Sequence, residues 1–500
     1  MEPVIPTKVM RDCDEKTIRS LGGDGVGLIE RAGRAIFEAC EWEGPVLIAA
    51  GTGNNAADGF AIALLLAGQK IPVRILLAED KTSADGAVLL RRCRDAGIPV
   101  SLYEGGALPH DVRQIADCLF GTGFHGEVTG VYRPLIEEIN ALHEKGVRVV
   151  SADINSGLSG DSGQGTCAVI SDLTVSVGYL QPGHLLGRAR DVIGRLENRP
   201  VGILPPERAG YFPDGKDLGE LLPPRPHDSH KGNYGYVTLI GGCREYAGAA
   251  KLAMLGASAL RAGCGVVRIA VPDCIADSVT PFLLEQTLLP LPSDGGFLAP
   301  DEAALDRALG GAAAIAFGMG IGRCPRHEAT LRALLDRCRV PLVLDADGLN
   351  TLAAAGTDLL LGARCPVILT PHPLEFARLS GISAEEMKKD PTAAAEAFAR
   401  KYGVILLLKG TGTVITDGTE TYYTNRGSAG MATAGSGDVL SGVLCGLLGY
   451  LAPTPKTVCL GAYLCGLAGE LAAADVGDVS MTSGDTARAL AAAVRTVTAR

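Results

Sequence analysis

Positive charge is in short supply: 46 Lys and Arg stand against 56 Asp and Glu, a formal net charge of -10, and neither half holds a basic run. Such a surface does not suit the phosphate backbone of a nucleic acid, which leaves small-molecule chemistry as the better expectation. Long apolar runs are also missing. The most apolar stretch, Val439 to Ala452, is short and broken by glycines, and residues 1–16 contain no apolar segment of the signal-peptide kind, so a cytoplasmic protein without a membrane span is expected. The 14 cysteines lack metal-ligand spacing. Cys40, Cys93, Cys264, Cys365 and Cys445 lie among apolar residues and read as small core side chains in a reducing compartment. No internal repeat is visible.

What is present is ordinary globular composition, 47% apolar and 20% charged, with 66 Gly and 28 Pro that suit many tight turns. Five hundred residues exceed what one core usually organises, so two domains are expected. After a helical opening over Glu15 to Ala39, short apolar runs alternate with amphipathic segments: Val46 to Ala50, Val73 to Ala78, Cys118 to Phe120, Val147 to Ala152 and Leu173 to Val177. That rhythm predicts a parallel sheet flanked by helices. A proline-rich stretch from Pro200 to Pro226 marks the boundary. Beyond it strands are expected at Tyr236 to Ile240, Val266 to Val271, Ala313 to Phe317, Pro341 to Leu344, Pro366 to Leu369 and Val404 to Leu408, then a hairpin over Thr413 to Thr424 and a helical end. The fold class is α/β throughout, with domains expected over residues 1–205 and 226–500 and a linker over 206–225.

The most informative segment is Gly430-Met431-Ala432-Thr433-Ala434-Gly435-Ser436-Gly437-Asp438, which runs into an apolar helix. Glycines let backbone N–H groups turn toward a ligand, and the helix aims its positive end at the same spot, so the turn suits phosphate. Asp438, at the helix start, is placed to accept a proton from a substrate hydroxyl; the plainer alternative is a helix cap. This segment resembles the signature of the ribokinase-like dehydratases that repair hydrated NAD(P)H. Further blocks follow in that family's order: His230 to Gly242, Tyr246 to Ala250, Gly318 to Gly322, Asp345 to Asn350, Thr370 to Glu375 and Lys409 to Thr413.

The resemblance implies a ribokinase-like α/β/α domain that phosphorylates the ring hydroxyl of the S hydrate with ADP or ATP and eliminates phosphate. It implies that Lys409, Gly410, Thr411, Gly412, Thr413 and Gly437 hold the nucleotide, with Mg²⁺, and that Ala249, Gly320, His372 and Asp438 contact the hydrated cofactor. Two bland readings stand beside these roles, His372 as a turn residue between prolines and Lys409 as a solvated strand end. A vitamin or sugar kinase sharing the same anion hole is the rival activity.

In the first half, Gly51-Thr52-Gly53-Asn54-Asn55-Ala56-Ala57-Asp58-Gly59 resembles the turn of the NAD(P)H-hydrate epimerases, which usually have two glycines where Ala56 and Ala57 stand. Alanine pays a penalty at positive φ that glycine does not. Asp117 to Phe124 and Ser151 to Leu158 resemble two further loops of that family, with Asn155 where proline is usual, and Arg31 to Ala35 is similar to its first helix.

The resemblance implies a Rossmann-like α/β/α domain that interconverts the R and S hydrates. K⁺ would be held by Asn55, Asp117 and Ser156, and the substrate pocket lined by Asn54, Asn55, Ala56, Ala57, Asp58, Gly121, Thr122, Gly123, Phe124, His125, Gly126, Glu127 and Asp153, with Asp153 the catalytic carboxylate. Ordinary turn chemistry remains open for Asn54, Asn55 and Ser156, and a catalytically silent binding module for the whole half. The expected partners are NADH and NADPH hydrates, ADP or ATP, and further copies of the chain in a homo-oligomer.

Overall fold

A computed structural model of the chain describes residues 1–257 and 262–499. Two compact units emerge, Glu2–Gly210 and, from Tyr211 onward, the rest. The division falls inside the stretch expected as a linker, whose second part is not free chain. Tyr211 pairs with Tyr422 as sheet neighbours and lies 5.7 Å from it ring to ring, and Leu218 of the helix Gly215–Gly219 is fully buried in the C-terminal core.

In the N-terminal unit seven strands run in the order Val100–Leu102, Val73–Leu77, Val46–Ala50, Gln114–Cys118, Arg148–Ala152, Ser171–Val177, Ile193–Arg199. Every neighbouring pair is parallel. The chain winds one way from its first long strand and then the other, so Val46–Ala50 and Gln114–Cys118 diverge at their carboxyl ends into a crevice, where open α/β sheets bind ligands. Apolar clusters cover both faces of the sheet, giving the expected three layers. Gly33, on the helix Gly25–Glu38, lets that helix lie directly on Asn54–Gly68; a Cβ there would sit 2.6 Å from the Ala61 Cβ.

The expected helix over Glu15 to Ala39 is two helices, Thr7–Ser20 and Gly25–Glu38. Gly22 and Gly23 take φ of 75° and 89°, outside the helical region, and the Asp24 side chain then caps the second helix through the Gly27 N–H. The strand expected over Cys118 to Phe120 lies earlier, at Gln114–Cys118, because its polar residues are buried with partners: the Gln114 amide serves the Glu43 N–H and the Glu41 carbonyl. Among the strands not anticipated are Val100–Leu102, Ile193–Arg199 and Thr287–Leu291.

The C-terminal sheet repeats the winding. From the hairpin Thr421–Thr424 and Thr413–Thr416 it runs through Ile405–Leu408, Val367–Leu369, Leu342–Leu344, Ala314–Phe317 and Tyr236–Ile240 to Val266–Pro272 and Thr287–Leu291. The hairpin joins antiparallel and the other pairs are parallel. Its switch point falls between Tyr236–Ile240 and Ala314–Phe317.

Glycines that interrupt the apolar helix Ser436–Leu448 allow it to press against Ala247–Ala257. A Cβ on Gly442 would lie 2.0 Å from the Ala253 carbonyl oxygen, and one on Gly256 2.3 Å from that of Val439. Pro455–Val476 is apolar and long enough to cross a membrane by length and composition, and two-thirds of its most apolar window (67%) is buried within the protein.

Candidate active sites

The N-terminal crevice is closed at its base by the first and fourth strand turns. A Cβ at Gly51 would meet the Leu119 carbonyl oxygen at 2.0 Å, so nothing larger than glycine permits this approach. The Asn55 amide then donates to the Phe120 carbonyl at 2.8 Å, while its own Oδ1 is buried without a partner among the described residues. A buried amide oxygen in that condition costs roughly 1–3 kcal/mol unless something else meets it.

Beside it Asp117 is fully buried. It accepts from the Ser156 hydroxyl at 2.5 Å, the Ser156 N–H at 2.9 Å and the Ser151 hydroxyl at 2.9 Å. Burial still holds its carboxyl above the usual range, against those bonds. The Ser156 oxygen also receives the Phe120 N–H at 2.8 Å. Asn55 at the head of a helix, Asp117 on a strand and Ser156 in a loop are thus linked by hydrogen bonds through Phe120 and Ser156.

Asp153 adopts φ of 64°, a left-handed conformation rare outside glycine. The strain is offset by three bonds. Its carboxylate accepts the Thr122 N–H at 2.9 Å, its own N–H reaches the Val175 carbonyl, and its carbonyl meets His184 Nε2 at 2.8 Å. Burial lowers the affinity of His184 for a second proton, so this imidazole is a neutral brace; its Nδ1 receives the Gln181 N–H, which leaves Nε2 as the donor.

A cavity of about 490 Å³ opens over these loops. Asn54, Asn55, Asp58, Thr122 and Asp153 line it, as do Gly121, Gly123 and Phe124. The remaining expected pocket residues do not. Ala56 and Ala57 are buried inside the helix Asn54–Gly68, and His125, Gly126 and Glu127 project into solvent. The two alanines take no positive φ, so the penalty raised by their departure from glycine does not arise. Asp14, from the helix Thr7–Ser20, lines the same cavity and was not anticipated. Burial, then the nearby Asp153 charge, raises its carboxyl to about 7; burial followed by Asp153 and Asp14 holds Asp58 well above the ordinary range.

In the C-terminal unit the sites quoted from five separate blocks meet at the carboxyl ends of the strands. Gly435 turns at φ of 91° into the helix Ser436–Leu448, and Gly437 follows in its first turn. A Cβ on Gly437 would lie 3.3 Å from Asp345 Oδ2 and 3.5 Å from Lys409 Nζ. Lys409 donates to Asp345 Oδ1 at 3.0 Å, and the Ser441 hydroxyl donates to Oδ2 at 2.6 Å. Burial pushes the Asp345 carboxyl up, but the Lys409 ammonium and the hydrogen bonds from Ser441, Lys409 and Thr370 together outweigh it, so this group stays ionised. Asp345 and Ser441 were not singled out from sequence.

Asp438 sits one residue past Gly437, half-buried, and among the described residues no group hydrogen-bonds its carboxyl. Burial, then the Asp345 charge, raises it to about 7, with Lys409 opposing. It does not cap the helix: no side-chain cap bond forms at that terminus. A carboxyl titrating near neutrality is matched to moving a proton at neutral pH.

Gly320, at φ of 62°, packs against Ala249 and Tyr246, with a Cβ there only 2.6 Å from the Ala249 Cβ. His372 caps the helix Pro373–Ser380, its Nδ1 accepting the Leu374 and Glu375 N–H groups at 3.2 and 3.3 Å. The turn reading therefore holds for its Nδ1, while the ring stays half exposed near Lys409 and Asp345. Gly410 and Thr411 follow Lys409 as an exposed turn into the hairpin strand that begins at Thr413.

Known proteins share this organisation. Residues 237–491 match the family described as NAD(P)H-hydrate dehydratase, and residues 26–183 the family described as YjeF-related protein N-terminus. A bifunctional NAD(P)H-hydrate repair enzyme of Moorella thermoacetica is 36% identical over 489 residues, covering 92% of this chain and 90% of that one. Among solved structures, a hypothetical protein of Streptococcus mutans aligns with a TM-score of 0.51 at 22% identity, over 58% of this chain and 100% of its own, a likeness of fold. An ADP/ATP-dependent NAD(P)H-hydrate dehydratase of Bacillus subtilis co-crystallised with ATP and Mg²⁺ aligns at 27% identity and a TM-score of 0.47, over 57% of this chain and 98% of its own.

Proposed function

Because the chain belongs to the family of bifunctional NAD(P)H-hydrate repair enzymes, we propose that its two units divide the return of hydrated NADH and NADPH to working cofactor. The N-terminal unit interconverts the R and S hydrates in the Asp153 cavity. The C-terminal unit dehydrates the S hydrate with ADP or ATP at the head of the helix Ser436–Leu448.

The observation that carries this reading is the juxtaposition of Lys409, Gly437 and a half-buried carboxyl at Asp438 that titrates near 7. Phosphates lie along Lys409 to Thr413 and against the Gly437 N–H, where the Lys409 ammonium and the helix end oppose their charge. Asp438 takes the proton of the ring hydroxyl as it attacks the terminal phosphorus. The terminal P–O bond of the nucleotide breaks and the nucleotide leaves one phosphate shorter, so that the hydroxyl, poor as a leaving group, becomes a phosphate ester. The lone pair of the ring nitrogen then expels phosphate to give an iminium, and loss of a proton from the neighbouring ring carbon to water or to the departing phosphate restores the double bond. Ala249, Gly320 and His372 shape the seat of the ring. Among the described residues no cluster of three or more His, Cys, Asp or Glu suits a metal ion, so Mg²⁺ would be held chiefly by the nucleotide phosphates, whose charge it would neutralise.

In the N-terminal unit the unmet Asn55 Oδ1, together with the Asp117 carboxylate and the Ser156 hydroxyl, is an all-oxygen set that fits K⁺. The ion would supply fixed positive charge and tie the helix, strand and loop that carry these residues together. Asp153, clamped by Thr122 and His184, moves a proton at the oxygen on the carbon being inverted. The fourteen cysteines are free thiols, consistent with a reducing cytoplasm, and association into a homo-oligomer is part of the same reading, to be measured by sedimentation.

The test is incubation of the intact chain with mixed hydrate epimers and ADP or ATP, following absorbance of the reduced nicotinamide. Full recovery is expected. Recovery of one epimer alone removes the epimerase half, and release of a stable phosphorylated alcohol without recovered absorbance would establish the kinase alternative.

A further inference from the structure

We propose that Asp14 is a second acid–base group of the epimerisation cavity, acting on the hydrated ring from a different element than Asp153; this rests on the epimerase reading above. The helix Thr7–Ser20 turns Met10, Asp14 and Ile18 to the cavity, spaced i, i+4, i+8 along one line. A helix that served only to cover the crevice would continue the apolar line at position 14, since an unpaired carboxyl in that place is costly.

Among the described residues that line the cavity, none relieves the cost. Four carboxyls line the cavity, Asp14, Asp58, Asp85 and Asp153, and no Lys, Arg or His does so among the described residues. Nor is the Asp14 carboxyl tied down, for no described residue hydrogen-bonds it. The Asp153 carboxylate, by contrast, is fixed by the Thr122 N–H. One free and one clamped carboxyl on separate elements are what inversion at a hydroxyl-bearing carbon beside nitrogen requires.

The protonated Asp14 gives its proton to the ring hydroxyl, the C–O bond breaks, and water departs as the nitrogen lone pair forms the C=N bond of an iminium. Water then adds to the other face, a new C–O bond forms, and the Asp153 carboxylate takes the proton released. One proton is given and one is taken, one water leaves and one enters, and the reverse reaction exchanges the two roles. Burial, with the Asp153 charge added to it, raises the Asp14 carboxyl to about 7 and keeps its proton available at neutral pH.

The experiment follows conversion of the S to the R hydrate by NMR in the full chain without nucleotide, so that dehydration does not intervene. Asp14→Asn is expected to slow interconversion by about 10²–10⁴-fold, with Asp14→Glu recovering part of the rate. Above about pH 7 the intact rate should fall as Asp14 loses its proton, and Asp14→Asn should lack that limb. In the same preparations, dehydration of pure S hydrate with added nucleotide stays unchanged. The unfolding temperature of Asp14→Asn should not drop, because the change removes one of the crowded carboxyls; a marked drop would mean that Asp14 is a structural group and overturns the inference. Interconversion by Asp14→Asn within a few-fold of the intact chain also overturns it. Failure of the intact chain itself to interconvert the epimers removes the epimerase reading, a separate result.

Discussion

Replacing Lys409 by Met strips the counter-charge from a carboxylate that is 1% exposed, leaving Asp345 with only the neutral hydroxyls of Ser441 and Thr370 as side-chain partners. Breaking a buried ion pair from one side costs about 3–5 kcal/mol. The Lys409 side chain is 24% exposed, which moves the expectation toward the lower end, about 3 kcal/mol. At roughly 2 °C per kcal/mol for a unit of this size, the C-terminal unfolding transition should fall by about 6 °C.

Calorimetry reads it, and the chain contains its own marker: its single Trp, Trp42, lies in the N-terminal unit, so the transition that fluorescence does not report belongs to the C-terminal one. The pH dependence carries a sign. In the intact protein Asp345 titrates below its unfolded value, so its stabilisation is present above about pH 4 and is lost as pH falls through the folded value. In Lys409→Met burial is opposed only by the Ser441 and Thr370 hydrogen bonds and the folded value rises, so the deficit grows as pH climbs above about 4 and shrinks again in acid. Adding Asp345→Asn should restore most of the loss. A single variant that loses under about 1 kcal/mol, or a double variant no more stable than the single, refutes the account.

Asp438→Asn should bind nucleotide as before yet lose dehydration by several orders of magnitude, and the intact rate should rise through about pH 7 as Asp438 becomes ionised; a pH-independent rate between 6 and 8 would contradict this. Gly320→Ala places a methyl within 2.6 Å of the Ala249 Cβ at a positive φ, so KM for the hydrate should rise with the epimerase unaffected, which steady-state kinetics of the two reactions can separate. The double change Ala56→Gly with Ala57→Gly, which restores the family's usual residues, should destabilise the N-terminal unit by about 1–2 kcal/mol, since both are buried positions with helical φ in the first turn of the helix. Urea unfolding followed through Trp42 measures it, and an unchanged midpoint would refute the helical account.

Much of the fold could be read from periodicity, and the misses share a cause. Strands that are continuous and apolar, such as Val46–Ala50 and Tyr236–Ile240, were placed to the residue. Gln114–Cys118 was displaced because Gln114 and Asp117 look like loop residues until their partners from other parts of the chain are known. The helix break at Gly22-Gly23 was present as a local signal and was overridden by the apolar pattern on either side. At the sites, motif order located the loops but not which residues turn inward: His125 to Glu127 belong to the right loop and face solvent. Asp14, outside any glycine-rich turn, and Ser441, inside an apolar helix, have no local mark; only the folded chain brings them to Asp153 and Asp345.

The grip on Lys409 of Asp345, itself held by the Ser441 hydroxyl, has a consequence for timing. An ammonium already anchored before any ligand arrives surrenders no rotamer freedom when a phosphate lands beside it, and no solvent shell has to be rearranged around it as charge migrates during transfer. The slow event in a turnover is then better sought in the departure of the repaired dinucleotide than in assembling the charges that act on it.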